Sequence, residues 1–161
     1  MPFSLLVAAS LLTSQTDPAK VKPQDVDTVD HIVAALYDVI SGPIGKDRDW
    51  DRMRTLFDRN ATMGAIVRAR NNQIRQIDIT VERYIELDRP IMMKEGFFER
   101  ETRRRENRYQ HLVQVFSTYE SRHALTEKPF ERGVNSIVLF NDDHRWWIKS
   151  ILWEGEEKPS R

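Results

Sequence analysis

The sequence contains no cysteine. That excludes a disulfide scaffold, a thiolate metal site and a cysteine nucleophile. Glycine and proline are sparse, at 6 and 7 residues, and there is no low-complexity segment or internal repeat. Net charge is also missing. Lys plus Arg number 25 and Asp plus Glu number 25. Nothing in that balance pulls the chain toward nucleic acid or an anionic membrane. After the first dozen residues no long apolar run occurs, which excludes an ordinary transmembrane helix. A Gly-rich phosphate loop, a G-x-S-x-G elbow and an H-E-x-x-H pair are all lacking, so nucleotide-dependent, serine-hydrolase and zinc-protease chemistry have no support. The four histidines, His31, His111, His123 and His144, are scattered. No metal site is expected, and no cofactor.

What remains is a chain of 161 residues in which aliphatic and aromatic side chains recur throughout. It suits one folded domain. Phe3 to Leu12 reads FSLLVAASLL, too short to span a bilayer and about the length of a signal-peptide core. A polar, proline-containing stretch follows. No basic residue precedes the run and no clean A-x-A site follows it, so a clipped start or a docking helix in a cytoplasmic protein stand as alternatives. The expectation is an exported protein, periplasmic or secreted, without a stable membrane anchor after processing. Residues 1–25 would be signal and leader, 26–155 the domain, and 156–161 a frayed tail.

Val29, Ile32, Val33, Leu36 and Ile40 fall at helical spacing. They predict a helix over 27–41, capped by Asp27 or Thr28 and stopped by Ser41-Gly42-Pro43. Asp49 can cap a second helix carrying Trp50, Met53, Leu56 and Phe57 inward, with Asn60 ending it. Strands are expected at 62–69 and 74–79. Thr80 can cap a third helix running to Glu95, with Pro90 as a kink or restart. Four longer strands follow, at 97–104, 112–119, 133–140 and 145–153. In the last, alternation puts Trp146, Ile148 and Leu152 on one face and Trp147, Ile151 and Trp153 on the other. A one-residue bulge would exchange such sets. The order describes an α+β fold: a curved, mostly antiparallel sheet wrapped around helices.

Four segments carry a family resemblance: GFFERE at 96–101, FSTYESR at 116–122, RGVNSI at 132–137 and RWWIKSILW at 145–153. The chain resembles the NTF2-like (SnoaL-like) superfamily, specifically its uncharacterised bacterial members, over residues 28 to 154. The resemblance implies a cone-shaped sheet, a pocket between sheet and helices, and dimerisation through the sheet's outer face. Enzymatic branches of the superfamily, steroid isomerases, cyclases and dehydratases among them, place an Asp, His or Tyr in that pocket. None of those patterns maps onto numbered positions here.

Candidate site residues follow from strand pairing. Glu99 and Glu101 share a face of their strand. Across from them, Ser117, Tyr119 and Ser121 share one face, and Thr118, Glu120 and Arg122 the other. Crowded carboxylates against an apolar wall would have raised pKa values, as a general acid or base requires. The competing reading is a Glu–Arg ladder on a solvated or dimer-facing surface. Glu101 and Tyr119 are the weak catalytic candidates. Tyr37, Tyr84, Glu99, Ser117, Tyr119 and Trp147 are the candidate ligand-binding residues. The arginine-rich stretch 99–108 interleaves three glutamates and reads as a solvated hairpin tip, not a nucleic-acid surface. The expected function is binding of a small apolar-polar molecule in the cone pocket by a homodimer. The alternatives are a cofactor-free isomerase, cyclase or dehydratase, and a protein-interaction module using the aromatic sheet face.

Overall fold

A computed structural model describes residues 21–157. The apolar run at 3–12 and the last four residues lie outside the described residues. The chain opens with a single 3-10 turn, Pro23–Asp25, followed by helices α1 (Val29–Ile40) and α2 (Trp50–Leu56). Strands β1 (Phe57–Arg68) and β2 (Ile74–Ile79) precede helix α3 (Val81–Glu95). Four strands complete the fold: β3 (Phe98–Tyr109), β4 (Leu112–Arg122), β5 (Glu131–Asn141) and β6 (Trp146–Gly155). No helix among the described residues is long and apolar enough to cross a membrane.

Each helix begins where a side chain can satisfy a free backbone N–H. The Thr28 hydroxyl accepts from His31 N at 3.1 Å, the Asp49 carboxylate from Arg52 N at 2.9 Å, and the Thr80 hydroxyl from Arg83 N at 3.1 Å. Such caps contribute about 1 kcal/mol each. α3 ends at Gly96, whose φ of 71° is a left-handed conformation open to glycine at little cost. Pro90 sits inside α3 without ending it. It lies on the exposed side of the helix, where its missing N–H leaves no unsatisfied group in the core.

The six strands form one sheet in the order β2-β1-β6-β5-β4-β3. Every pairing is antiparallel except β1 with β6, which is parallel. The sheet's inner face meets the apolar stripe of α1. Ile32, Met53, Leu56, Val113, Val115, Ile137, Leu139 and Ile148 are all excluded from solvent. Each buried aliphatic side chain of this kind stabilises the fold by roughly 1.5–3 kcal/mol. This is the α+β fold expected from the element order, in the cone form that the family resemblance implies.

The structure departs from the sequence reading in four places. α2 stops at Leu56 and β1 begins at once at Phe57, which pairs with Ile148. The register slips between Phe57 and Thr62, so the start of the strand is irregular. In β6, Leu139 faces Ile148 and Val138 faces Ser150, leaving Lys149 as an extra residue. That bulge puts Ile151 and Trp153 on the inner face with Trp146 and Ile148, and sends Leu152 outward with Trp147. The leader's end is already tied down, because the buried Asp25 carboxylate accepts from Arg52 Nε at 2.7 Å. At the other terminus Glu156 N donates to Arg132 O at 2.7 Å, and Arg68 Nε donates to Glu157 at 2.9 Å.

Candidate functional site

A cavity of about 300 Å³ opens between α1, α3 and the inner face of β3 to β6. Its apolar wall includes Leu36 and Ile40 of α1, Met92 of α3, and Ile151 and Trp153 of β6. Tyr84 projects from α3 into this space and meets Trp153 edge-on at 6.2 Å. Phe130 and Ile91 lie at the exposed rim, where His123 stacks on the Phe130 ring at 4.3 Å.

Glu99 is the polar centre of the inner wall. Ser121 Oγ donates to one carboxylate oxygen at 2.8 Å and Asn135 Nδ2 to the other at 3.3 Å. Burial nonetheless dominates and, with the nearby Glu131 charge, pushes the Glu99 carboxyl up to about 7. Burial also raises Asp88 above the ordinary carboxylate range. Tyr119, only 3% exposed, lines the same cavity. Among the described residues no hydrogen bond engages the hydroxyl of Tyr119 or of Tyr84. Burial raises both phenols well above their usual value.

Gly133 makes room for Tyr119. A Cβ at position 133 would stand 2.6 Å from the Tyr119 hydroxyl and 2.3 Å from the carbonyl oxygen of Glu154. The strand therefore passes the ring at a distance that only a hydrogen side chain permits.

Tyr37 and Ser117 lie behind this wall. The Tyr37 hydroxyl is 2.7 Å from Ser117 Oγ and accepts from Asn135 Nδ2 at 3.0 Å. Burial raises Tyr37 to about 12. Ser117 is fully buried and donates to Glu101. Asn135 thus bridges Glu99 to Tyr37, and Ser117 continues the chain to Glu101. Arg104 meets Glu101 at 2.8 Å in a separate outer groove between α1 and β3, and reaches across to Asp30 of α1. Glu101 therefore does not share the cavity with Tyr119, although the two are register partners across β3 and β4.

Of the residues singled out in the sequence, Tyr84, Glu99 and Tyr119 line the cavity, while Tyr37 and Ser117 support it from behind. Two lie elsewhere. Glu101 belongs to the outer groove, held there by Arg104. Trp147 points off the outer face because of the Lys149 bulge, where its indole donates to Asp142 at 2.8 Å under the Arg145 guanidinium. Trp153 takes its place in the wall. The Glu–Arg ladder is present on the outer face around Glu120, where Arg100 approaches to 2.7 Å. Its arginines hold the Glu120 carboxyl below the usual range. Asp88, Asn135 and Glu131 escaped the sequence reading. Asp88 and Asn135 sit on elements that were correctly placed and Glu131 lies two residues before the strand expected at 133–140, and nothing in their spacing says which face turns inward.

No protein-family model matches the sequence, and no curated protein matches it. Solved structures do share the fold. An NTF2-like protein of unknown function from Shewanella baltica aligns over 80% of this chain and 91% of its own, at 11% identity and a TM-score of 0.51. A candidate ketosteroid isomerase from Parabacteroides distasonis aligns over 84% and 98%, at 13% identity and a TM-score of 0.54. The β subunit of a candidate aromatic-ring-hydroxylating dioxygenase from Novosphingobium aromaticivorans aligns over 83% and 90%, at 15% identity and a TM-score of 0.54. The chain has the NTF2-like fold.

Proposed function

We propose that the protein binds a small, largely apolar molecule in the cone cavity and fixes it through Glu99 and the Tyr119 hydroxyl. The observation that carries this reading is the Tyr119 side chain, almost wholly buried, lining the cavity, with its hydroxyl unpartnered among the described residues. A ligand oxygen or nitrogen that hydrogen-bonds this hydroxyl would gain about 0.5–1.5 kcal/mol. The volume falls at the lower end of small-molecule sites, which span roughly 300–1,000 Å³. A titration with naphthalene-sized alcohols and ketones tests it. Saturable one-to-one binding, lost in Ile91→Trp at the exposed rim, is expected. Failure of every probe to bind, or binding unchanged by Ile91→Trp, would refute the reading.

One feature favours a catalytic version of the same reading. A carboxyl raised to about 7 can both take and return a proton near neutrality. With Tyr119 as donor to a developing oxyanion, Glu99 would take a proton from the carbon next to the carbonyl of a bound ketone, the step that isomerases, cyclases and dehydratases share, and in an isomerase would return it to another carbon. Deuterium uptake from solvent into a bound ketone, abolished by Glu99→Gln, would support it; equal uptake in the variant would not. The proposal includes a second copy of the chain on the outer sheet face, where Leu112 and Phe116 stand exposed.

A further inference from the structure

The charges around the cavity do not balance. Asp88, Glu95, Glu99 and Glu131 line it, and no lysine or arginine does. His123 at the rim is the one basic side chain among the lining residues. Among the described residues none of these four carboxylates takes part in an ion pair. Elsewhere the chain pairs its acids freely. Asp25 and Asp38 meet Arg52, Glu82 meets Arg54, Asp47 meets Arg89, and Asp30 and Glu101 meet Arg104. The sequence has 25 basic residues, and among the described residues none of its lysines or arginines lines the cavity.

Arg48 is buried as well, and its donors are turned elsewhere. Arg48 lies between α1 and α3 and gives its donors to backbone carbonyls, including those of Ile40 at 3.0 Å and Gly42 at 2.7 Å. Its field reaches Tyr84, but it does not line the cavity.

We propose that the cavity takes an apolar molecule bearing a protonated amine, whose ammonium sits between Glu99 and the Tyr119 hydroxyl within the ring wall of Tyr84, Phe97 and Trp153. This rests on the reading of the cavity as a ligand site and names the chemical class that fits it. An ammonium has three donors and no acceptor. Glu99 accepts one bond at each oxygen from Ser121 and Asn135, and a carboxylate has further lone pairs to offer. A phenol oxygen accepts as well, and aromatic faces attract a cation. Asp88 deeper on α3, with Glu95 and Glu131 at the rim, adds attraction. The same groups repel an anionic ligand.

Ligand charge and Glu99 ionisation are then linked. The groups facing Glu99 in the cavity are Tyr84, Asp88 and Glu95 from α3, Ser121 and Tyr119 from β4, Glu131 and Asn135 from β5, and His123 beyond β4, with Tyr37 of α1 behind; on its groove side lie Arg100, Glu101 and Arg104 of β3 and Glu120 and Arg122 of β4. An ammonium probe should bind more tightly as Glu99 ionises. Between pH 6 and pH 8 the gain should be about tenfold, set by the ionised fraction of a group titrating near 7.

Calorimetric titration of the full chain with three probes of one shape tests the proposal: naphthylmethylamine, naphthylmethanol and naphthoate. At pH 8 the amine should bind about tenfold or more tighter than the alcohol, and naphthoate should not bind. Glu99→Gln should bring the amine down to the alcohol's affinity, and near-ultraviolet circular dichroism matching the parent reports that the variant is folded. That variant keeps His123, so loss of the pH dependence assigns it to Glu99. Alcohol binding without preference for the amine, or a preference that survives Glu99→Gln, would overturn the amine proposal while leaving the cavity reading intact. If none of the three binds, both fall.

Discussion

The carboxyl at position 99 meets apolar side chains on one side and the donors of Ser121 and Asn135 on the other. Two hydrogen bonds favour its ionised form, burial opposes it, and burial prevails. The consequence for stability has a definite sign. Below about pH 4.5 the group is protonated in both the folded and unfolded chain, and it costs nothing. As pH rises toward 7 the unfolded chain releases its proton first, so the folded state loses ground. Above 7 the penalty is complete, up to about 3 kcal/mol. Glu99→Gln removes it. The variant should unfold at a higher denaturant midpoint than the parent at pH 8, with the gap narrowing by pH 5 and closing near pH 4. Parallel midpoints across that range would contradict the raised value. Such a cost is what the proposed role of Glu99 in holding a ligand or moving a proton would account for.

Elements were more legible in the sequence than faces. The caps at Thr28, Asp49 and Thr80 are local chemistry, and the stripe from Val29 to Ile40 is a local period, so both could be read directly. Faces depend on unbroken alternation, and two strands break it. β3 carries an extra residue at Thr102, between Glu101 opposite Tyr119 and Arg103 opposite Thr118. β6 carries Lys149. Glu99 precedes its bulge, so its pairing with the Tyr119 face held. Trp147 and Trp153 flank the other bulge, so the tryptophan that lines the cavity is Trp153 and not Trp147. Sheet order was illegible too, because β1 reaches β6 across most of the chain. Gly133 gives this scale its test. The Gly133→Ala methyl must displace the Glu154 carbonyl or the Tyr119 ring. Strain of this kind costs typically 1–3 kcal/mol or more. Reduced stability together with weakened probe binding is expected. A variant of unchanged stability and affinity would show that the β5–β6 backbone shifts freely and does not hold Tyr119 in place.

At the scale of the whole molecule, the sheet's two faces have different tasks. The inner face is spent on α1, α2 and the cavity. The outer face has no helix over it among the described residues, and it is not uniformly polar. Leu112 and Phe116 are 51% and 50% exposed on β4, beside the outward-facing Val138 and Phe140 of β5 and Trp147 of β6. Around them the Glu120 arginine ladder and the Arg145–Trp147 stack supply a charged border. An apolar centre with a polar rim is the pattern of an interface, and a second copy would bring the same pattern to it in self-complementary form. Light scattering should give twice the mass of the chain at micromolar concentration. Phe116→Glu places a charge at the centre of the patch and should yield the single-chain mass. Because Phe116 faces away from the cavity, the variant should keep the parent's affinity for the amine probe. A parent that is already monomeric would leave the outer face without a second copy. A variant that becomes monomeric and also loses the probe would mean that the partner shapes the cavity through the sheet, so that binding and assembly are one equilibrium.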